Sequence, residues 1–255
     1  PTPFTADARK SLGYAIADAE ARNPATLQLL RWRAGVTETV TITLQYLGAY
    51  SATAPYNCPK SAAILEMGLQ KMMAGETSGM YSLGTLALLA ADDPSNPNNA
   101  ARQTRARNEV LALIPNAGTL AKMNGPTVRR DWPKPWAAGH ILIVLCEYYL
   151  KTNDPVVLPA IDAYVNVIEK GQNSFGSMGH DWGTSWPDGS PNGPSTGYGS
   201  VNSAAVPCLL GLQLAKKCGS THPRLDLGIE RASSFFASYV GKGSIPYGEG
   251  MPGFG

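Results

Sequence analysis

The residues best suited to chemistry are concentrated in one glycine-rich loop, residues 172–199. His180 and Asp181 stand side by side in it, and such a pair can act as general acid and base. Aromatic rings next to carboxylates also suit carbohydrate binding, because sugar faces stack on rings and hydroxyl groups bond to carboxylates. We therefore predict catalysis by His180 and Asp181, and ligand binding by Trp182, Trp186, Asp188 and Tyr198.

The same loop has a structural alternative, in which its tryptophans fill a hydrophobic gap and His180 bonds to the backbone. A loop of this length without secondary structure in a compact domain is usually functional or mobile. Both interpretations remain open at the level of sequence.

A second set of candidates lies on a nearly all-apolar helix predicted over residues 135–150. His140 and Glu147 are seven residues apart, so they share one helical face. Since ionisable groups are costly to bury unpaired, we expect them either to face a cavity or to bond to neighbouring loops. Trp136, on the same helix, is a further candidate for ligand binding.

The helix belongs to an array that follows a different first segment. Residues 1–50 predict a helix over 5–21 and two strands around Ala34-Gly35, since Val40, Ile42 and Leu44 alternate with polar residues. After Cys58-Pro59 the apolar period becomes helical and predicts seven helices, over residues 61–73, 81–91, 98–114, 135–150, 156–170, 200–215 and 225–239.

Helices that are apolar on several sides must be buried on several sides. The expected fold is mainly α: an α/α toroid over residues 51–255, with 135–150 and 200–215 as inner helices, after a small helix and β-hairpin over 1–50. A helical bundle is the alternative. Seven helices do not close a six-hairpin ring, so the ring is expected to be incomplete, with the domain truncated at its C-terminal end.

Composition excludes several classes of function. The net charge is +2, with 21 basic and 19 acidic residues, which argues against nucleic-acid binding because phosphates require a basic surface. No apolar run approaches the roughly 20 residues of a membrane span, and no signal peptide is visible. No cofactor is predicted, and the cysteine spacing fits no metal site.

The four cysteines leave the redox compartment open. Cys146 lies in an apolar run and is expected to be a buried free thiol. Cys208 and Cys218 flank one predicted helix whose ten residues rise about 15 Å, so these two are not expected to pair. His222 precedes Pro223 in a polar loop and is expected at the surface.

Three stretches carry a family resemblance. "VRRDWPKPWAAGHILIVLCEYYLKTNDPVVLPAIDAYVNVIEKGQNSFGSMGHDW" (128–182), "GYGSVNSAAVPCLLGLQLAKKCG" and "RASSFFASYVGKGSIPYGEG" resemble an uncharacterised bacterial family of α/α toroids, related in fold to terpenoid cyclases and protein prenyltransferases. The segment Gln172-x-x-x-Gly176-x-Met178 is similar to the Q-x-x-x-G-x-W repeat of such toroids, with Met178 in place of tryptophan. "LQLLRWRAGVTETVTITLQYLGAYSATAPYNCPKS" resembles the last helix and two strands of a PDZ domain.

The resemblance implies a secreted or periplasmic protein but no particular reaction. The acidic D-x-D-D motif of triterpene cyclases is absent, and the zinc-binding set of prenyltransferases has no match. By fold-level analogy with polysaccharide lyases on α/α toroids, Tyr247 is a candidate acid or base. The main hypothesis is binding or processing of an extracellular glycan, with a peptide as the other candidate ligand. The alternatives are a non-catalytic interaction scaffold and an isoprenoid or lipid site. Oligomeric state is left open.

Overall fold

A helix and an antiparallel hairpin begin the chain, and helices dominate the remainder. The computed structural model describes residues 7–75, 82–126, 128, 132–185, 191–192 and 199–248. This mainly helical architecture confirms the predicted fold class, while closure of the helices into a toroid stays a prediction. The chain divides into two units, residues 1–74 and 75–255. The predicted domain boundary between residues 50 and 51 also stays a prediction.

The first unit joins two helices and a hairpin. Its elements are α1 (Ala8–Glu20), β1 (Thr26–Arg33), β2 (Val36–Thr43) and α2 (Pro59–Met73). Ala34 and Gly35 both have positive φ, 49° and 82°, the conformation of a two-residue turn whose twist matches paired strands. Lys60 at the start of α2 is fully buried and pairs with Glu20 at 2.7 Å, so α2 is tied to the end of α1.

The second unit is built from helical hairpins. Its helices are α3 (Leu83–Ala90), α4 (Asn99–Ala112), α5 (Ala117–Met123), α6 (Pro135–Thr152), α7 (Leu158–Gly171), α8 (Asn202–Lys217) and α9 (Leu225–Ala237). Helix α3 packs with α4, α6 with α7, and α8 with α9. Two-residue strands β3 (Thr184–Ser185) and β4 (Pro191–Asn192) pair within the loop before α8. Helix α5 was not predicted. Among the described residues, no helix is both long and apolar enough to cross a membrane.

The contact between α6 and α8 is the most extensive between helices of this unit. Gly139 of α6 faces Pro207 and Cys208, and Gly211 of α8 faces Leu142. The numbers of the contacting residues rise together along both helices, so α6 and α8 run parallel. Helix α7, which lies between them in sequence, runs back in the opposite direction. A Cβ on Gly139 would lie 2.7 Å from the backbone nitrogen of Cys208, so glycine is required for this approach.

The end of α7 is tied to α9 by the segment that resembles the toroid repeat. Gln172 Nε2 donates to Gly228 O at 2.8 Å and to Gly176 O at 3.2 Å. Gly176 has φ +83°, and a Cβ there would lie 2.3 Å from Arg231 O. Met178 is buried. The glutamine and the glycine therefore have structural roles in the turn after α7.

We expect Gly139→Ala to destabilise the second unit by about 1–3 kcal/mol, because the added methyl group overpacks the α6–α8 contact. The matched control is Gly118→Ala in α5, where the nearest atom is Asn116 Oδ1 at an ordinary 3.5 Å. That exposed change should be neutral or stabilise by up to about 1 kcal/mol. Urea unfolding of both variants measures the difference, and equal midpoints would contradict the role given to Gly139.

Candidate functional site

Several predicted residues converge at the start of α6. Trp136 Nε1 donates to His180 Nδ1 at 3.1 Å, and His140 Nδ1 lies 2.7 Å from Trp136 O. Asp181 forms an ion pair with Lys134. The loop after α7 is thereby held against the first turn of α6. We call Lys134, Trp136, His180 and Asp181 the α6 cluster.

The two rings of the α6 cluster are nearly parallel. Their planes make an angle of 23°, and their centroids are 5.9 Å apart in a stacked arrangement. Since indole nitrogen only donates, His180 Nδ1 accepts, and the proton of the neutral ring is on Nε2.

Trp182 holds the same loop through a buried contact with the end of α7 and the segment just before α6. Its ring is only 6% exposed, and its Nε1 donates to Pro133 O at 3.1 Å. A Cβ on Gly171, the last residue of α7, would lie 2.2 Å from the ring. Trp182 therefore fills a gap between the two helices, as the structural alternative predicted. The binding role predicted for it stays a prediction.

Asp181 pairs with the lysine of α6 and not with the histidine next to it in sequence. The Lys134 and Asp181 side chains are 47% and 42% exposed, and exposed ion pairs contribute at most about 1 kcal/mol of stability. Both charges are therefore available to an incoming polar ligand. His180 is exposed as well, so the α6 cluster forms part of the protein surface.

His140 belongs to a groove beside the α6 cluster. The groove has a volume of about 230 Å³ and is otherwise lined by apolar side chains of α3, α6 and α8: Leu83, Leu86, Ile143, Val144, Val206, Pro207 and Leu210. His140 is one helical turn from Trp136, so the two share a face of α6. An apolar groove with one imidazole thus lies next to a polar, aromatic surface.

The remaining candidates lie elsewhere. Glu147 is two turns beyond His140, next to Cys146, and is not among the residues that line the groove. Tyr247, which follows α9 in the chain, lies next to the start of α8, where its carbonyl oxygen accepts a hydrogen bond from Asn202 N at 2.9 Å. Trp186, Asp188 and Tyr198 lie outside the described residues, so the structure leaves their predicted roles as they were.

A buried polar network at the base of the loop was missed from the sequence. Asn173 Nδ2 donates to Ser200 Oγ at 2.9 Å, and Asn202 Nδ2 donates to Pro246 O at 2.6 Å. Val201 N donates to Met178 O at 2.7 Å. The Asn173–Ser200 and Val201–Met178 bonds join the two ends of the loop, and the Asn202–Pro246 bond ties the start of α8 to the segment after α9. Asn or Ser at both ends of the loop was the signal in the sequence. Within the described part of the chain, no group of three His, Cys, Asp or Glu side chains could hold a metal ion.

The comparisons with known proteins identify a family. Residues 61–255 match the family described as Domain of unknown function (DUF6288). The chain belongs to this family. No curated protein and no solved structure is similar enough to add a function or a fold relative. The members of the α6 cluster and the groove lie within the matched residues.

His222 is a second histidine whose environment the sequence did not reveal. It was expected at the surface but is half-buried, with Nε2 3.2 Å from Asn166 Oδ1. Asn166 Nδ2 donates to Met123 O at 2.6 Å, so its oxygen faces His222 and Nε2 must donate. Nδ1 then accepts from Arg224 N at 3.4 Å. The neutral ring satisfies both bonds, and burial lowers the pKa of His222.

We expect this histidine to make the folded state less stable in mild acid. Because its pKa is lowered, the unfolded chain binds more protons than the folded chain below the usual value of 6.5, and the free energy of unfolding falls as pH falls. Urea unfolding at pH 7.5 and pH 5 should show a smaller decrease for His222→Gln than for the unsubstituted protein. An identical decrease in both would contradict this assignment.

Proposed function

We propose that this domain binds a carbohydrate at the α6 cluster. The observation that carries the proposal is the stacked Trp136–His180 ring pair with the Lys134–Asp181 ion pair in the same cluster. A pyranose ring presents an apolar C–H face that lies against flat rings, and its hydroxyl groups bond to charged side chains. Hydrogen bonds with an ionised partner are about twice as strong as neutral ones.

The arrangement favours binding over acid–base catalysis. Asp181 is engaged by Lys134, and His180 Nδ1 is engaged by the indole of Trp136. A general acid and base need to share a proton path to the reacting bond, and this His–Asp pair is split between two partners.

The wider setting proposed for this site follows from the resemblance. The hairpin pairs α3–α4, α6–α7 and α8–α9, with α6 and α8 parallel, agree with a segment of an α/α toroid. We place the protein in the periplasm or outside the cell, and we take α1 and the β1–β2 hairpin as the end of a PDZ-like domain. Leu30 and Trp32 on this hairpin are 54% and 72% exposed, which suits a hairpin that belongs to a larger sheet.

Glycan binding should depend on the two-ring surface. On a glycan array, and by calorimetry with the best oligosaccharide, Trp136→Ala and His180→Ala should each weaken binding at least about tenfold, or about 1.4 kcal/mol. Phe175→Ala is the control, since Phe175 is 51% exposed in the same loop but outside the α6 cluster. Absence of any glycan ligand, or equal losses in all three variants, would refute the proposal.

A second candidate is favoured by the groove. Its walls are leucine, isoleucine, valine and proline side chains apart from His140, which suits an apolar chain of the isoprenoid or lipid kind. Its volume of about 230 Å³ is below the roughly 300–1,000 Å³ of most ligand pockets. The groove therefore fits a short chain or one end of a longer one.

Substitutions distinguish the two candidate functions. Leu210→Glu should reduce binding of a fluorescent alkyl probe at least about tenfold, because a charge in an apolar groove is costly to desolvate. Leu227→Glu on α9, at a residue of similar exposure outside the groove, should leave it unchanged. Trp136→Ala should affect glycan binding and not probe binding. Failure of both ligand classes would favour the non-catalytic scaffold predicted as an alternative.

A further inference from the structure

Two cysteine thiols meet where α6 and α8 end. Cys146 on α6 is fully buried, and Cys218, the residue that caps α8, is 7% exposed. Cys218 Sγ donates to the carbonyl oxygen of Cys146 at 3.6 Å, so the two residues are in contact. Both sulfurs are present as thiols in this structure.

The other two cysteines have different partners. Cys208 Sγ donates to Pro135 O at 3.4 Å, at the opposite end of α6. Cys58 accepts from Ser51 N at 3.4 Å in the first unit. Among the four cysteines in the chain, Cys146 and Cys218 are thus the pair joined by a described contact.

We propose that Cys146 and Cys218 form a disulfide bond that clamps the ends of α6 and α8 when the protein folds in the presence of a low-molecular-weight disulfide. The pairing rests on the parallel packing of the two helices, which brings residues 72 apart in sequence into contact. A disulfide requires the two sulfurs to approach to about 2.05 Å. Cys218 Sγ already lies 3.6 Å from the backbone oxygen of Cys146, so we expect side-chain rotation to bring the sulfurs together.

Oxidation proceeds by two thiol–disulfide exchanges. The Cys218 thiolate attacks one sulfur of the oxidant, forms a mixed disulfide and releases one thiolate. The Cys146 thiolate then attacks the Cys218 sulfur and releases the second thiolate, so that the protein loses two electrons and two protons and the oxidant is reduced to two thiols. The Cys146 side chain lowers the pKa of Cys218, and the Cys218 side chain together with burial raises the pKa of Cys146, so the less buried sulfur ionises first.

The bond would restrict the segment that carries His180 and Asp181 of the α6 cluster. The segment between the two cysteines contains α7 and the loop that holds His180 and Asp181, so its ends would be fixed to each other. Structural disulfides persist in oxidising compartments. The inference does not depend on the proposed carbohydrate ligand, and each can fail without the other.

The experiment maps disulfides in the full chain after refolding with reduced and oxidised glutathione. Free thiols are alkylated in denaturant, and the digest is analysed by mass spectrometry without reduction. We expect two of the four cysteines to be alkylated and one linked peptide pair to contain Cys146 and Cys218. Reduction should lower the midpoint of thermal unfolding by on the order of 5–15 °C.

Variants identify the pair independently. Cys208→Ala should keep the cross-link and the response to reductant, whereas Cys146→Ala and Cys218→Ala should each lose both. Four alkylated cysteines after oxidative refolding, or a linked peptide containing Cys58 or Cys208, would overturn the proposal. Because the wild-type digest alone decides between these outcomes, the test stands even if a variant fails to fold.

Discussion

The close approach of α6 and α8 is the constraint on which the second unit depends. Gly139 lets α6 reach the backbone of Pro207 and Cys208, and Gly211 admits the side chain of Leu142. Dispersion attraction falls steeply with small gaps, so the contact requires residues without bulk at these points. Parallel packing also places the first turns of both helices together. The loop between α7 and α8 therefore begins and ends at this same end of the helices, which is why it lies against the start of α6.

The candidate site combines an apolar groove with a polar surface. The groove takes its walls from apolar side chains of α3, α6 and α8, of which Leu83, Val206 and Leu210 are still about half exposed. At the start of α6, Lys134 and Trp136 bond to the loop. The buried ring of Trp182 and the Asn173–Ser200 bond hold that loop in place. The positions of His180 and Asp181 therefore depend on the contacts that hold their loop.

Periodicity predicted the elements well where they were long. The alternation of Val40 and Ile42 became β2, and the apolar run around Cys146 became α6. Helix α5, with seven residues, was missed because two turns give too little period to recognise. The spacing of His140 and Glu147 predicts that they share one helical face, and of the two only His140 lines the groove. Spacing shows that two side chains point to the same side of a helix, but it does not show which residues pack opposite each of them.

The sequence by itself determined the longer helices, the β1–β2 hairpin and which loop holds the reactive side chains, because those properties depend on neighbours within a few residues. Only the tertiary structure decided which side chains meet. Asp181 pairs with Lys134, 47 residues away, and His180 bonds to Trp136, 44 residues away. Cys146 contacts Cys218 across 72 residues. Such contacts follow from the packing of α6 against α8 and α7, and no local pattern in the sequence encodes them.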